Sequence, residues 1–365
     1  MNEAKRICVM MARYAISGVP LAQIRLAKAL AERGYDVDLV VGFVSEEYTM
    51  PKVEGVNTIL LDTPQARDLL PILIKYLRRR NPDGFFTAED HLNAIVLISA
   101  ILARSKVKIS ASSRVTPFDT YSNRPFTKRW LLKQIMRAVM WRADVLTCVS
   151  KGMVEQYRTI FCNARHECIY NIVRTPSAQK MIIEPVDHPW FSDRALPVLV
   201  AAGQLGPWKG FTDLIRSVHI LSTRRPVRLI LLGDGPQRSE LEDLIEELGL
   251  QDNVRLEGHV ANPLKYFAHA DVFVLSSLLE GMPNVLIEAM MAGCTPVATD
   301  CPTGPNEILG DGRYGYLVPM SDPDALADGI EKAIINPISP EVLSEALVPF
   351  EKETVVEQHL RKLNL

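Results

Sequence analysis

"DVFVLSSLLEGMPNVLIEAM" runs from Asp271 to Met290. Its opening, DVFVLSS, is apolar on both alternating faces, which predicts a buried strand ending near Ser277. From Pro283 onward the pattern turns helical, and a proline, having no N–H to lose, suits the first helical position. Glu280 stands just past the strand and Glu288 one turn into the helix. Open α/β sheets place their ligands beyond the C-terminal ends of strands. The amides of Asn284, Val285 and Leu286 are expected to lack intrahelical partners and, with the helix's partial positive charge, to form an anion cradle.

The same rhythm extends along the chain. Apolar β-rich runs at 6–11, 37–42, 57–61, 84–88, 107–112 and 144–150 alternate with amphipathic stretches such as Pro20–Gly34. A second series follows at 197–203, 227–233, 254–258, 271–277 and 295–300. Apolar strands alternating with helices predict parallel sheets covered on both faces. The expected fold is α/β: two Rossmann-like, doubly wound domains facing a cleft. The stretch Arg174–Pro197, with four prolines and no helical period, marks the boundary. The expected division is 1–180, 181–347 and a terminal helix over 348–365 that crosses back to the first domain.

Composition agrees with a soluble protein of two domains. The chain has 365 residues, 47% of them apolar and 23% charged, too long for one ordinary core. Its longest apolar run, Ala94–Ala103, is about half a membrane span, and the start lacks an h-region of signal-peptide length. A cytoplasmic location is therefore expected. The six cysteines include no C-x-x-C pair and are read as reduced core thiols. Up to Lys180 there are 27 Lys and Arg against 16 Asp and Glu, and beyond it 14 against 27. A basic first half suits an anionic membrane, an anionic acceptor or nucleic acid, or is simply a solvated surface that attracts the acidic half. No nucleic-acid recognition motif supports that partner. No G-x-G-x-x-G opens either domain, which disfavours a nicotinamide dehydrogenase.

Carboxylates flanking an anion cradle make sense as acceptors for hydroxyls. Glu288 lies about 6 Å further along the helix axis. A ligand carrying hydroxyls on both sides of a diphosphate fits, which describes a sugar nucleotide. The stretch Ser276–Leu309 resembles the donor-binding core of retaining glycosyltransferases of family 4, which have the GT-B fold, and Glu280 and Glu288 match their E-x7-E signature. The resemblance covers most of the second half (201–218, 231–250, 254–260, 315–330) and thins in the first to 26–40, 109–114, 143–153 and 169–173.

The resemblance implies that Glu280 holds sugar hydroxyls and Glu288 ribose hydroxyls. It places backbone groups of Gly281, Met282, Asn284 and Val285 along the sugar and phosphates, Gly258, His259 and Val260 near the base, and Lys209 at the diphosphate leaving group. Where the family usually has an arginine in "GRL", this chain has Gln204; a neutral donor gives a weaker hydrogen bond than a charged one, unless another cation such as Arg13 compensates. The first loop, Arg13–Gln23, keeps one glycine, Gly18, which lets backbone approach a phosphate or sugar. In the acceptor half, His91 is a candidate for the donor sugar or acceptor, Arg114 for an acceptor anion, and Glu89 and Asp90 for a base.

The implied activity is retaining transfer of a hexose or N-acetylhexosamine from a UDP-sugar to a saccharide or lipid-linked acceptor, in the synthesis of cell-surface glycans. No cofactor and no metal are expected, because no D-x-D motif stands beside a donor strand. The alternative is a catalytically silent sugar-nucleotide-binding partner of another transferase. In Arg124–Asp144, Leu131, Ile135 and Val139 recur every four residues, as do Arg129, Lys133 and Arg137. This segment is either a basic amphipathic helix resting on an anionic membrane or a core helix with a solvated outer face; Tyr76–Asn81 adds basic residues.

Overall fold

The computed structural model describes residues 4–65 and 68–365. They divide into two compact units, 1–172 with 352–365, and 173–351. The first unit contains β1 (Arg6–Tyr14), β2 (Asp36–Val44), β3 (Val56–Leu60), β4 (Gly84–Ala88), β5 (Lys108–Ser113), β6 (Val145–Cys148) and β7 (His166–Cys168). The second contains β8 (Val198–Ala202), β9 (Arg228–Leu232), β10 (Val254–Gly258), β11 (Val272–Leu275), β12 (Thr295–Thr299) and β13 (Tyr316–Val318). The named strands pair in parallel throughout. Every residue of β4, β8, β11 and β12 is buried, as expected where helices cover both faces of a sheet.

Both sheets reverse their winding next to their first strand. The orders are β3-β2-β1-β4-β5-β6-β7 and β10-β9-β8-β11-β12-β13. The chain leaves β8 toward one edge, then returns to build β11 on the other side of it. Loops after β8 and β11 therefore diverge above adjacent strands and open a crevice between them. In the first unit the loops after β1 and β4 have the same relation.

The domain limits differ from those expected. The first unit ends at Ile172 instead of 180, and the chain re-enters it at Lys352 instead of 348. Val173 and Arg174 both donate to the Phe350 carbonyl at 3.1 Å, and Arg174 pairs with Glu351 at 2.8 Å, so 173–180 and 348–351 belong to the second unit. The proline-rich stretch is not an unstructured connection either. Pro176 and Pro189 open the short helices Pro176–Ile182 and Pro189–Asp193, a position that prolines tolerate well. Trp190 and Phe191 are buried there.

The terminal helix spans Lys352–Leu363. Val355, Val356, Leu360 and Leu363 join the core of the first unit, and His359 meets Phe86 edge-on with ring centroids 5.3 Å apart. Ion pairs Lys352–Glu32 and Arg33–Glu353, each 2.8 Å, fasten its start to the helix Gly18–Glu32. Among the described residues, no helix is long and apolar enough to cross a membrane. Cys8, Cys148, Cys294 and Cys301 are buried, whereas Cys162 is exposed, contrary to a core position.

Candidate active site

Lys209 and Glu280 come from the two loops that diverge at the switch point of the second sheet. Lys209 ends a single turn, Pro207–Lys209, after β8; Glu280 follows β11. Lys209 Nζ lies 2.5 Å from Glu280 Oε1, with the side chains 16% and 12% exposed. Ser277 Oγ donates to the same carboxylate oxygen at 2.7 Å.

The backbone explains why two loops separated by seventy residues meet so closely. Ser276 Oγ donates to the Lys209 carbonyl at 2.8 Å, and the Leu278 amide donates to the Trp208 carbonyl at 2.8 Å. Gly210, at φ +63°, lets the turn pass directly over the strand end; a Cβ there would stand 2.1 Å from the Ser276 oxygen. Lys209 reaches forward across Gly203, whose Cβ would meet its Cε at 3.2 Å.

A third loop supports the second from beneath. Thr299, at the end of β12, donates to the Ser277 carbonyl, and Thr303 donates to the Glu280 carbonyl. Gly304 approaches Pro283 so closely that a Cβ would lie 2.5 Å from the proline Cδ. Both threonines are only 3% exposed, and each gives one of these carbonyls a hydrogen-bond partner. The Cys301 thiol is buried here and pushed up to about 12, first by burial and then by the nearby Glu280 charge.

The helix begins one residue later than expected. It spans Asn284–Met291, with Pro283 as its N-cap. The Leu286 amide donates to the Pro283 carbonyl at 3.1 Å, so Leu286 leaves the expected anion cradle. Asn284 and Val285 remain the first two residues of the helix. Met282 is buried, Gly281 half-buried, and Glu288, in the second turn, 9% exposed.

Beside this crevice the chain segments that follow β8, β9 and β10 interlock through glycines. A Cβ on Gly233 would fall 1.9 Å from the Gly203 oxygen, and one on Gly235 2.5 Å from the Leu205 oxygen. The Gly233 amide donates to the Gly258 carbonyl at 2.7 Å. Gly258 takes φ +74° and turns the chain into exposed His259 and half-buried Val260. Gln204 is exposed.

The first unit presents its own set. Arg13 lies in β1, exposed, with its guanidinium 5.4 Å from the Phe43 ring centroid. Gly18 opens the helix Gly18–Glu32, so Pro20 is its third residue and not its start. His91 is exposed and 3.8 Å from Glu89. Glu89 takes φ +78°, a backbone conformation that costs a non-glycine residue on the order of 1–3 kcal/mol. Burial raises its carboxyl pKa.

Two other candidates in this unit are engaged internally. Asp90 accepts from Ser113, Tyr121 and Tyr157 at 2.9, 2.6 and 2.8 Å, and burial raises its pKa. Arg114 donates to Asn171 and Gln23, and burial pulls its guanidinium down to about 10. These residues tie β5 to its surroundings. Among the described residues, no cluster of three His, Cys, Asp or Glu is arranged as a metal site.

With this geometry in place, the comparisons with known proteins are specific. The family model for glycosyl transferases group 1 matches residues 188–347, and that for the glycosyl transferase 4-like domain matches 17–171. The lipopolysaccharide core biosynthesis glycosyltransferase LpsE of Rhizobium meliloti is 31% identical, over 93% of this chain and 91% of its own. This chain belongs to the glycosyltransferases. An N-acetylgalactosaminyltransferase acting on a diphospho-undecaprenol-linked saccharide in Campylobacter jejuni is 26% identical over 81% of each chain. HepE of Anabaena, solved in complex with UDP, superposes with a TM-score of 0.79 at 19% identity over 99% of both chains. The fold is that of GT-B glycosyltransferases.

In this glycosyltransferase the basic segment is arranged differently from the expected faces. Its helix spans Lys128–Val139. Lys133 is buried, donating to Asn123 Oδ1 at 2.6 Å, and Arg129 donates to the carbonyls of Phe118 and Tyr121. Leu131 is exposed instead, as are Phe118, Trp141 and, at 94%, Phe126. Arg80 is likewise turned inward, to fully buried Asp38 at 2.7 Å. A lysine or arginine with an internal acceptor packs its stem and spends its charge on local structure.

The sequence did not single out Ser276, Ser277, Thr299 or Thr303. Hydroxyl residues at strand ends are common, and only the three-dimensional meeting of β8, β11 and β12 shows where their protons go.

Proposed function

We propose that this glycosyltransferase moves a hexose or N-acetylhexosamine from a UDP-sugar to a saccharide or lipid-linked acceptor of a cell-surface glycan, with retention of configuration. The meeting of Lys209 and Glu280 at a switch point, beside the start of the helix Asn284–Met291, carries this proposal. UDP in HepE, the diphospho-undecaprenol-linked acceptor named for one relative and the lipopolysaccharide core biosynthesis named for another support the donor and acceptor classes.

Breaking the anomeric C–O bond leaves negative charge on the diphosphate and positive charge on the sugar ring. Lys209 and the partial positive charge at the start of the helix Asn284–Met291 are suited to the former. Glu280 is assigned to sugar hydroxyls and Glu288 to ribose hydroxyls. Backbone at Gly281, Met282, Asn284 and Val285 would line the sugar and phosphates, Gly258–Val260 the base, and Gln204 would supply a neutral donor. Gly18, His91, Arg13 and Arg114 are proposed for the donor sugar or acceptor; of these, Arg114 must first give up internal partners.

Exposed Phe126, Leu131 and Trp141, close in sequence to Arg124 and Lys128, support peripheral contact with an anionic membrane at its cytoplasmic face. Flotation with anionic vesicles at low salt is expected to carry the protein; its absence would reject this contact. UDP release with a panel of donors and acceptors, followed by anomeric analysis of the product, tests the activity. Transfer in EDTA is expected to match that without it. Donor binding without turnover on any acceptor would instead mark a catalytically silent partner.

A further inference from the structure

The candidate donor site contains its own counter-ion for the lysine proposed to meet the leaving group. Lys209 Nζ is 2.5 Å from Glu280 Oε1, and neither side chain is more than 16% exposed. Charges held this far from water are screened weakly. A diphosphate approaching Lys209 competes with a carboxylate for the same ammonium and brings like charge beside that carboxylate. Separating such a pair without a replacement leaves a poorly solvated carboxylate, which is costly.

We infer that the Lys209–Glu280 pair makes the site discriminate against the bare nucleoside diphosphate in favour of the intact sugar nucleotide. This rests on the proposed function. In the intact donor the sugar hydroxyls donate to Glu280 as Lys209 turns toward the diphosphate, so both partners exchange one contact for another. The product nucleotide has no sugar to offer. It draws the lysine away while the Glu280 carboxylate keeps, among the described residues, the hydrogen bond from Ser277 alone, at 2.7 Å. Transfer itself thus removes the group that stabilised the opened pair, and restoration of the ion pair favours product departure. Thr303 and Ser276 hold the two backbones in place, so the exchange is confined to side chains.

Calorimetric titration with UDP tests this, using the wild type, Glu280→Gln, Lys209→Met and the double variant. Glu280→Gln is expected to bind UDP about tenfold more tightly, a change within the coupling measured for close charge pairs. Lys209→Met should bind it more weakly. The gain from Glu280→Gln should vanish in the Lys209→Met background, because there is no lysine left to release. Glu280→Ala, which also frees the lysine, must move affinity in the same direction. Unchanged or weaker UDP binding by both Glu280 variants would overturn the inference. So would an equal gain in the Lys209→Met background, which would identify plain charge repulsion; either result leaves the proposed function standing. If neither the wild type nor the Glu280 variants bind UDP or any UDP-sugar, the proposed function falls and this inference with it.

Discussion

Thr303 donates its hydroxyl proton to the backbone carbonyl of Glu280, across 23 positions of sequence. The bond fixes the height of the Glu280 loop above β11 from a separate strand end. Thr303→Val keeps the side-chain shape and removes the donor, leaving a part-buried carbonyl without this partner. That loss costs about 1–3 kcal/mol of stability, and turnover should fall at least tenfold if Glu280 shifts. Thr303→Ser should restore both. Denaturant unfolding and steady-state kinetics measure the two effects, and normal turnover in Thr303→Val would remove this residue from the support of Glu280.

Gly210 and Gly249 allow a controlled comparison. Both occupy the left-handed region, at φ +63° and +66°. A Cβ on Gly210 would strike the Ser276 oxygen, while one on Gly249 meets nothing within 4 Å. Gly249→Ala should therefore cost only the backbone term, about 1–2 kcal/mol. Gly210→Ala should cost more and also weaken UDP binding, since Lys209 is the preceding residue. Equal melting temperatures for the two variants would contradict this.

Glu280 and Glu288 should separate kinetically. Glu288→Ala is expected to raise the Kd for UDP, by about tenfold if one charge-assisted contact is lost. Glu280→Ala should mainly lower kcat. Wild-type kinetics in both variants would reject the assignment of the pair to the donor.

Acid should weaken the first unit through two histidines. Burial lowers His359 to about 3 and His166 to about 4, against about 6.5 in an unfolded chain. Between those values the unfolded state binds more protons, so stability rises with pH. It is fully present above about 6.5 and is lost as pH falls toward 4, by up to about 1.4 kcal/mol per pH unit for each histidine. His359→Phe, which keeps a ring against Phe86, should flatten this dependence in urea unfolding at pH 4.5–7. An unchanged slope would contradict the assignment.

The alternation of apolar strands with helices was legible because it repeats over long segments. β7 and β13 were not, being three residues each, too short to show a period and lying at sheet edges. Pro176 and Pro189 misled for a different reason: the same residue that breaks a helix interior also starts a helix. Glu280 and Glu288 drew attention by flanking a strand–helix turn, but carboxylates there are common, and their roles, like the choice of Lys209, came from the resemblance to family 4 glycosyltransferases. The inward turn of Lys133 and Arg114 was not visible, since their acceptors lie on residues 10 and 57 positions away.

The packing of Gly203 against Gly233 bears on how this enzyme is to be redesigned. With the Gly203 carbonyl 1.9 Å from where a Gly233 Cβ would stand, and the Leu205 carbonyl 2.5 Å from that of Gly235, Gly233 and Gly235 tolerate no side chain. Libraries aimed at a new donor should leave them fixed and vary the exposed Gln204 and His259, where substitutions alter what a nucleotide meets without prising the strand ends apart.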